Sequence, residues 1–267
     1  MRTVILLCGA ALQAAAAVHV EMPYRTVDGM ELKLDLAVPD DGPGPHPVIV
    51  CLHGGGWSMG SKGSFRKYLP QFAAKGYAAA AIQYALAPAR PFPAPIADTY
   101  AAVAYLRANA KRWNLDPTRV SLLGTSAGAH LVLLAGFDNK ANVEAIIDVS
   151  GPADLRDWHM LPPAEKGLAA LGTNSATLLS QFLAGANPAD ASPVLQVRSG
   201  APPVLLFHWK DDQAVEAAQA QRLLAALEKA SIKHEAVWFE GRGHALSGKG
   251  VEEIVPRTVA FLNALKK

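Results

Sequence analysis

Charge is scarce in this sequence. Asp, Glu, Lys and Arg make up only 18% of the 267 residues, against an average near 25%. The 25 basic and 23 acidic residues almost cancel, leaving a formal charge of +2, so the chain carries no electrostatic footprint for nucleic acid. Cysteine is scarcer still. Cys8 and Cys51 stand alone, without a CxxC pair, a Cys/His cluster or an HExxH motif. Disulfide scaffolding and zinc chemistry therefore lack their raw material, and no metal is expected. No linker, and no repeat of about 20 to 50 residues, divides the chain. What remains is 51% hydrophobic, too apolar for disorder over most of its length and consistent with one large domain.

One apolar run has a different look. Met1 and Arg2 precede an apolar stretch from Thr3 to about Leu12, followed by small residues through Ala17. This is the order of a secretory signal, with Ala15 and Ala17 at the −3 and −1 positions. A signal segment is thus expected over 1–17 and a single domain over 18–267, secreted or periplasmic. The run falls short of the roughly 20 residues needed to span a bilayer, and Gln13 interrupts it, so no stable membrane insertion of the mature chain is expected. Cys51 lies in the apolar run Pro47 to Leu52, where a buried, unreactive thiol is the default.

Buried strands read from Leu32 to Val38, Val48 to Leu52, Tyr77 to Ile82, Val120 to Leu123, Ala145 to Val149, Val204 to His208 and Ala236 to Phe239. Helical stretches fall between or after them, at Phe65 to Lys75, Ile96 to Ala110, Ala127 to Ala135, Val215 to Lys229 and Val251 to Leu265. The alternation calls for an α/β architecture, a mainly parallel sheet flanked by helices on both faces. The turn cluster from Asp40 to Pro45 points to an antiparallel edge before the parallel part begins. Residues 151–200 break the rhythm with five prolines and no confident strand. So long an insertion in a compact domain is usually functional, and Trp158, Met160, Leu161, Leu178, Leu179 and Phe182 suit a packed lid.

The chemistry starts where the strand Val120 to Leu123 runs into Gly124-Thr125-Ser126-Ala127-Gly128 and then into a helix. Strand, G-x-S-x-G and helix together make a nucleophile elbow, in which the glycines let strand and helix approach closely while Ser126 is held in a strained turn. Upstream, His53-Gly54-Gly55-Gly56-Trp57 follows another strand. Consecutive glycines expose backbone N–H groups to the negative charge of a tetrahedral intermediate. Gly55, Gly56 and Ala127 would form an oxyanion hole. Ser126 still needs a base from elsewhere in the chain. Of the eight histidines, His208 and His244 lie downstream in a turn just after a strand.

These motifs, with Tyr84-Ala85-Leu86-Ala87-Pro88, Pro91-Phe92-Pro93, Leu115-Asp116-Pro117 and the extension to His130, make the chain similar to the HGGG-bearing α/β-hydrolase serine esterases. The likeness is greatest to the bacterial carboxylesterase and feruloyl or acetyl-xylan esterase-like branch. The resemblance implies the α/β-hydrolase fold, no cofactor, and His244 in Gly241-Arg242-Gly243-His244 as the base. The family pattern H-G-x-x-D-x-x-V, laid on His208 to Val215, selects Asp212 as the acid that orients His244. Asp211 stays as the alternative. Ala85, Ala129 and Trp209 depart from the family's usual Arg, Gly and Gly. His53 reads as oxyanion-loop architecture, His130 as a helix residue behind the elbow and His208 as strand-end structure. Asp98 reads as an acid placed by a helix dipole, and Asp148 as a hydrogen-bonding acid. A substrate pocket is expected against Trp57, Trp158, Met160 and Leu161. The implied function is hydrolysis of carboxylic esters with short or compact aromatic acyl groups through an acyl-enzyme. An amidase or formamidase using the same triad, or a non-catalytic hydrolase-fold binding protein, is the alternative.

Overall fold

A computed structural model describes residues 16–40 and 42–266. Most of the expected signal segment, with Cys8 and Ala15, lies outside the described residues. The first described residues belong to a strand that sequence patterning missed. β1 (Ala16–Val27) pairs antiparallel with β2 (Met30–Pro39), joined by Asp28 and Gly29, both at positive φ (48° and 76°). A two-residue Asp-Gly connection with both residues left-handed is the hairpin turn that matches strand twist, so the signal was present in the letters. The position expected for cleavage, after Ala17, falls two residues into β1.

The other strands are β3 (His46–Leu52), β4 (Ala78–Ile82), β5 (Leu115–Thr125), β6 (Ile146–Val149), β7 (Val204–Asp212), β8 (His234–His244) and the short β9 (Ser247–Gly248). They form one sheet in the order β1-β2-β4-β3-β5-β6-β7-β8-β9, parallel from β4 to β8 and antiparallel at both margins. The expected strands from Leu32 to Phe239 all lie in this sheet.

Successive side chains of a strand face opposite sides, and the core divides accordingly. Val48, Val50 and Leu52 join one apolar cluster with residues of α2 (Ala94–Ala108), α3 (Ala127–Phe137) and α6 (Ala217–Lys229). Ile49 and Cys51 join the other, with α1 (Leu69–Ala73) and α7 (Ile254–Ala264). Both faces are therefore covered, as a parallel sheet requires. Helix α3 is buried at every residue, so the helix that follows Ser126 has no solvent face and little freedom to move.

The insertion folds into α4 (Pro162–Ala170) and α5 (Ser175–Leu183). Its two ends are tied to each other and to α6. The N–H groups of Ala153 and Asp154 donate to Gln219 Oε1 (2.8 and 2.7 Å), and that of Leu155 donates to Ser192 Oγ (2.9 Å). Arg156 and Arg222 both reach the Asp154 carboxylate. Gln219 is buried on α6, so these bonds sit where water cannot compete for them.

Candidate active site

Ser126 sits between β5 and α3 at φ 53°, ψ −121°, a conformation that strains any residue with a Cβ. Two glycines make it attainable. A Cβ on Gly124 would fall on the Gly128 carbonyl, and one on Gly128 would fall on the Leu52 carbonyl. The turn is pinned from the neighbouring strand, where the Val149 carbonyl accepts the Ser126 N–H at 2.8 Å. The result projects Ser126 into a cavity of about 500 Å³ that His244 also lines. Among the described residues no hydrogen bond joins the two side chains, and such bonds often tighten only when substrate is present.

Gly55 and Gly56 line the same cavity at φ 127° and 56°. The Gly55 carbonyl turns away to accept the N–H groups of Ser58 and Met59 (3.2 and 3.0 Å). The Gly55 and Gly56 N–H groups donate to no backbone carbonyl among the described residues. Ala127 opens α3, so its N–H has no partner within the helix.

Asp212 ends β7 and is buried. His244 Nδ1 donates to its two oxygens at 2.9 and 3.0 Å, and Oδ1 also accepts the N–H groups of Ala214 (2.8 Å) and Val215 (2.9 Å). Burial alone would push this carboxyl up, but His244, His208 and the Ala214 N–H outweigh it and hold Asp212 below the ordinary carboxylate range. Its neighbour Asp211 is exposed, because strand alternation sends the two side chains to opposite sides. His208 is fully buried, with Nε2 donating to the Val215 carbonyl at 3.0 Å and lying 3.7 Å from Asp212 Oδ2. Trp209, which stands where the resemblance expected Gly, is accommodated by Gly243: a Cβ there would strike the indole. The glycine beside His244 thus serves close packing rather than loop freedom.

The pocket residues divide. Met160 lines the cavity, together with Ala164, Leu168, Leu171 and Leu178 of the insertion, facing Met59 and Ser64 across it. Trp57 and Trp158 do not line it. Trp57 is fully buried, stacked on Phe182 (4.6 Å, 17°) and edge-on to Trp158 (5.1 Å, 73°). The indoles are the packing behind the wall, and burial of so much apolar surface is what drew them there. Leu161 caps α4 and donates its N–H to the Ala214 carbonyl at 3.0 Å, also outside the cavity wall. The missed residues Ala164, Leu168 and Leu171 carry a signal, since spacings of four and seven put them on one helical face.

Two acids behave differently from each other. Asp98 is fully buried within α2 and accepts the Ala85 N–H (2.9 Å) and Arg25 Nη1 (2.5 Å). It ties β1 to the body of the domain, which replaces the helix-dipole reading. Asp148 accepts the Gly151 N–H at 2.9 Å, at the root of the insertion, and burial pushes its carboxyl up to about 7. No helix of the described residues is long and apolar enough to cross a membrane.

Fold and site together define an α/β-hydrolase with serine, histidine and aspartate assembled at the carboxyl ends of its parallel strands. The BD-FAE family model matches residues 34–227, and the chain belongs to that family. Esterase LipQ of Mycobacterium tuberculosis is 31% identical over 232 residues, covering 80% of this chain and 54% of that protein. Esterase LipC of the same organism is 28% identical over 246 residues, covering 84% and 59%. The chain thus spans little more than half the length of these curated relatives. A propionate-bound esterase from Thermogutta terrifontis, Est2, superposes with a TM-score of 0.76 at 26% identity over 94% of each chain. Esterase B from Lactobacillus rhamnosis shares the fold with a TM-score of 0.78 at 21% identity, covering 95% of this chain and 87% of that one.

Proposed function

We propose that this protein is a carboxylic ester hydrolase working through an acyl-enzyme on Ser126. Ser126 Oγ attacks the ester carbonyl as His244 Nε2 takes its proton. Asp212 accepts the Nδ1–H, fixing the tautomer and stabilising the imidazolium. The N–H groups of Gly55, Gly56 and Ala127 meet the charge that develops on the carbonyl oxygen. Collapse of the intermediate expels the alcohol, protonated by His244, and water activated by the same imidazole then releases the acid and regenerates Ser126. The single observation that carries this reading is His244, which lines the same cavity as Ser126 and is hydrogen-bonded through Nδ1 to the buried Asp212 carboxylate. No step calls for a cofactor or a metal.

The insertion's wall of Met160, Leu168, Leu171 and Leu178 supports short acyl or compact aromatic acyl groups, because a cavity of about 500 Å³ is at the small end of the ligand-site range. The propionate named for the Thermogutta relative agrees with that size. The test is a panel of acetyl, butyryl, decanoyl and feruloyl esters with matched leaving groups. A fall in kcat/KM from butyryl to decanoyl is expected; a steady climb to decanoyl would contradict the acyl-size reading. Faster turnover of a matched formamide would move the assignment to an amidase. The N-terminal pattern through Ala17 supports export to the periplasm or medium, checked by the N-terminal sequence of the protein recovered there.

A further inference from the structure

Trp57 follows the second oxyanion glycine directly and is held at φ 60°, a left-handed conformation that a bulky aromatic residue adopts only when its surroundings impose it. Phe182 and Trp158 pack on its faces and edge, but apolar contacts alone let a ring slide in its own plane. What fixes the ring is polar. The indole Nε1–H donates to His130 Nδ1 at 3.1 Å, and His130 Nε2 lies 2.7 Å from the Ala191 carbonyl. An indole N–H can only donate and a carbonyl can only accept, so His130 must be neutral with its proton on Nε2. Full burial, which lowers its pKa to about 4, keeps it in that form. His130 also lies one helical turn after Ser126, and its N–H donates to the Ser126 carbonyl at 3.1 Å. The turn that presents the nucleophile is therefore the turn that anchors Trp57.

We propose that His130 is a positioning residue: through Trp57 it sets the Gly55 and Gly56 N–H groups in register with Ser126, and through Ala191 it locks that register to the end of the insertion. The inference rests on the esterase reading above and assigns His130 a role beyond helix packing. It acts on the transition state rather than on substrate binding, since the oxyanion exists only after attack.

Four variants test it by kcat and KM on p-nitrophenyl butyrate, with the melting temperature of each measured in parallel. Trp57→Phe keeps the stacking and loses the N–H. His130→Leu loses both polar contacts. His130→Asn keeps an acceptor near the Nδ1 position and loses the donor to Ala191. The fourth is the double variant Trp57→Phe/His130→Leu. A small displacement at an active site can cost on the order of 100-fold, so Trp57→Phe and His130→Leu should each lower kcat roughly 10- to 100-fold, with KM within about twofold. The double variant should fall no further than the worse single one, and His130→Asn should recover most of the kcat that His130→Leu loses. Should His130→Leu fail to fold, Trp57→Phe and His130→Asn still decide. Wild-type kcat in folded Trp57→Phe, or losses that multiply in the double variant, would overturn the inference while leaving the esterase reading intact. Absent turnover by the wild-type protein on every ester would overturn both.

Discussion

The elbow and the insertion border the same cavity, yet different physics holds each in place. At the elbow the constraint is backbone against backbone: Gly124, Gly128 and the Leu52 carbonyl leave no room for a Cβ, and Ser126 sits at positive φ. In the insertion the constraint is side-chain packing and a few polar ties, with Trp57 stacked on Phe182 and edge-on to Trp158 behind the wall and Asp154, Ser192 and Gln219 closing its root. Backbone constraints admit one residue type. Packing constraints admit many, provided volume and polarity are kept. The chemistry is thus written where substitution is least tolerated, and the choice of substrate where it is most tolerated.

The largest effect is expected at Ser126. Ser126→Ala should remove turnover by a factor on the order of 10⁶ while leaving the fold unchanged, read as kcat beside a circular dichroism spectrum. Next comes the acid. Asp212→Asn should lower kcat by about 10³ to 10⁴ by analogy with other triads, whereas the exposed Asp211→Asn should cost less than about tenfold. The reverse ranking would mean that the buried contact with His244 is not the one that matters.

A single substitution type made in both regions sharpens the contrast further. Gly128→Ala drives a Cβ onto the Leu52 carbonyl and should destabilise the protein by about 1 to 3 kcal/mol. Gly167→Ala, on α4, meets nothing within 4 Å, and Gly167 is not at positive φ. It should stabilise by about 0.5 to 1 kcal/mol, because alanine loses less freedom in a helix. Urea denaturation of the two variants reads both signs, and equal effects would erase the distinction between the regions.

The effect that depends on pH belongs to Asp148, where the insertion begins. Its folded pKa of about 7 lies above the ordinary 3.8, so folding favours the protonated acid, and the stability this gives is complete below 3.8 and lost as pH rises through 7. Asp148→Asn should therefore gain melting temperature over the wild type as pH is raised from 5 to 8, by a few degrees. A difference that stays constant over that range would show that the acid is not held neutral. The buried imidazoles of His53, His130 and His208, all lowered by burial, act in the opposite direction. They weaken the fold as pH falls below the ordinary histidine range, in wild type and variant alike.

The same contrast explains what the letters revealed. Strand-to-helix alternation carried the sheet from Leu32 onward, because parallel strands buried on both faces are continuous apolar runs. Ser126, Gly55 and Gly56 were legible because their geometry demands glycine at neighbouring positions. β1 was missed although Asp28-Gly29 announced its hairpin, since polar residues such as His19, Glu21 and Arg25 interrupt the apolar pattern of a marginal strand. Of the four residues expected at the pocket, Met160 alone lines it, while Trp57 and Trp158 pack inward and Leu161 caps α4 outside the wall. Aromatic content says that a segment packs, and only the three-dimensional partners say against what. For Asp98, sequence gave the helix but not Arg25, which reaches it from 73 residues away.

At the centre of the proposed reaction, Ser126 Oγ is the atom that attacks. Treating the protein with an activated organophosphonate and mapping the adduct by mass spectrometry tests it most directly. One adduct is expected, on Ser126, with ester hydrolysis lost in proportion to labelling and no labelling of Ser126→Ala. An adduct on another residue accompanying the loss of activity, or full activity in protein completely labelled at Ser126, would contradict it.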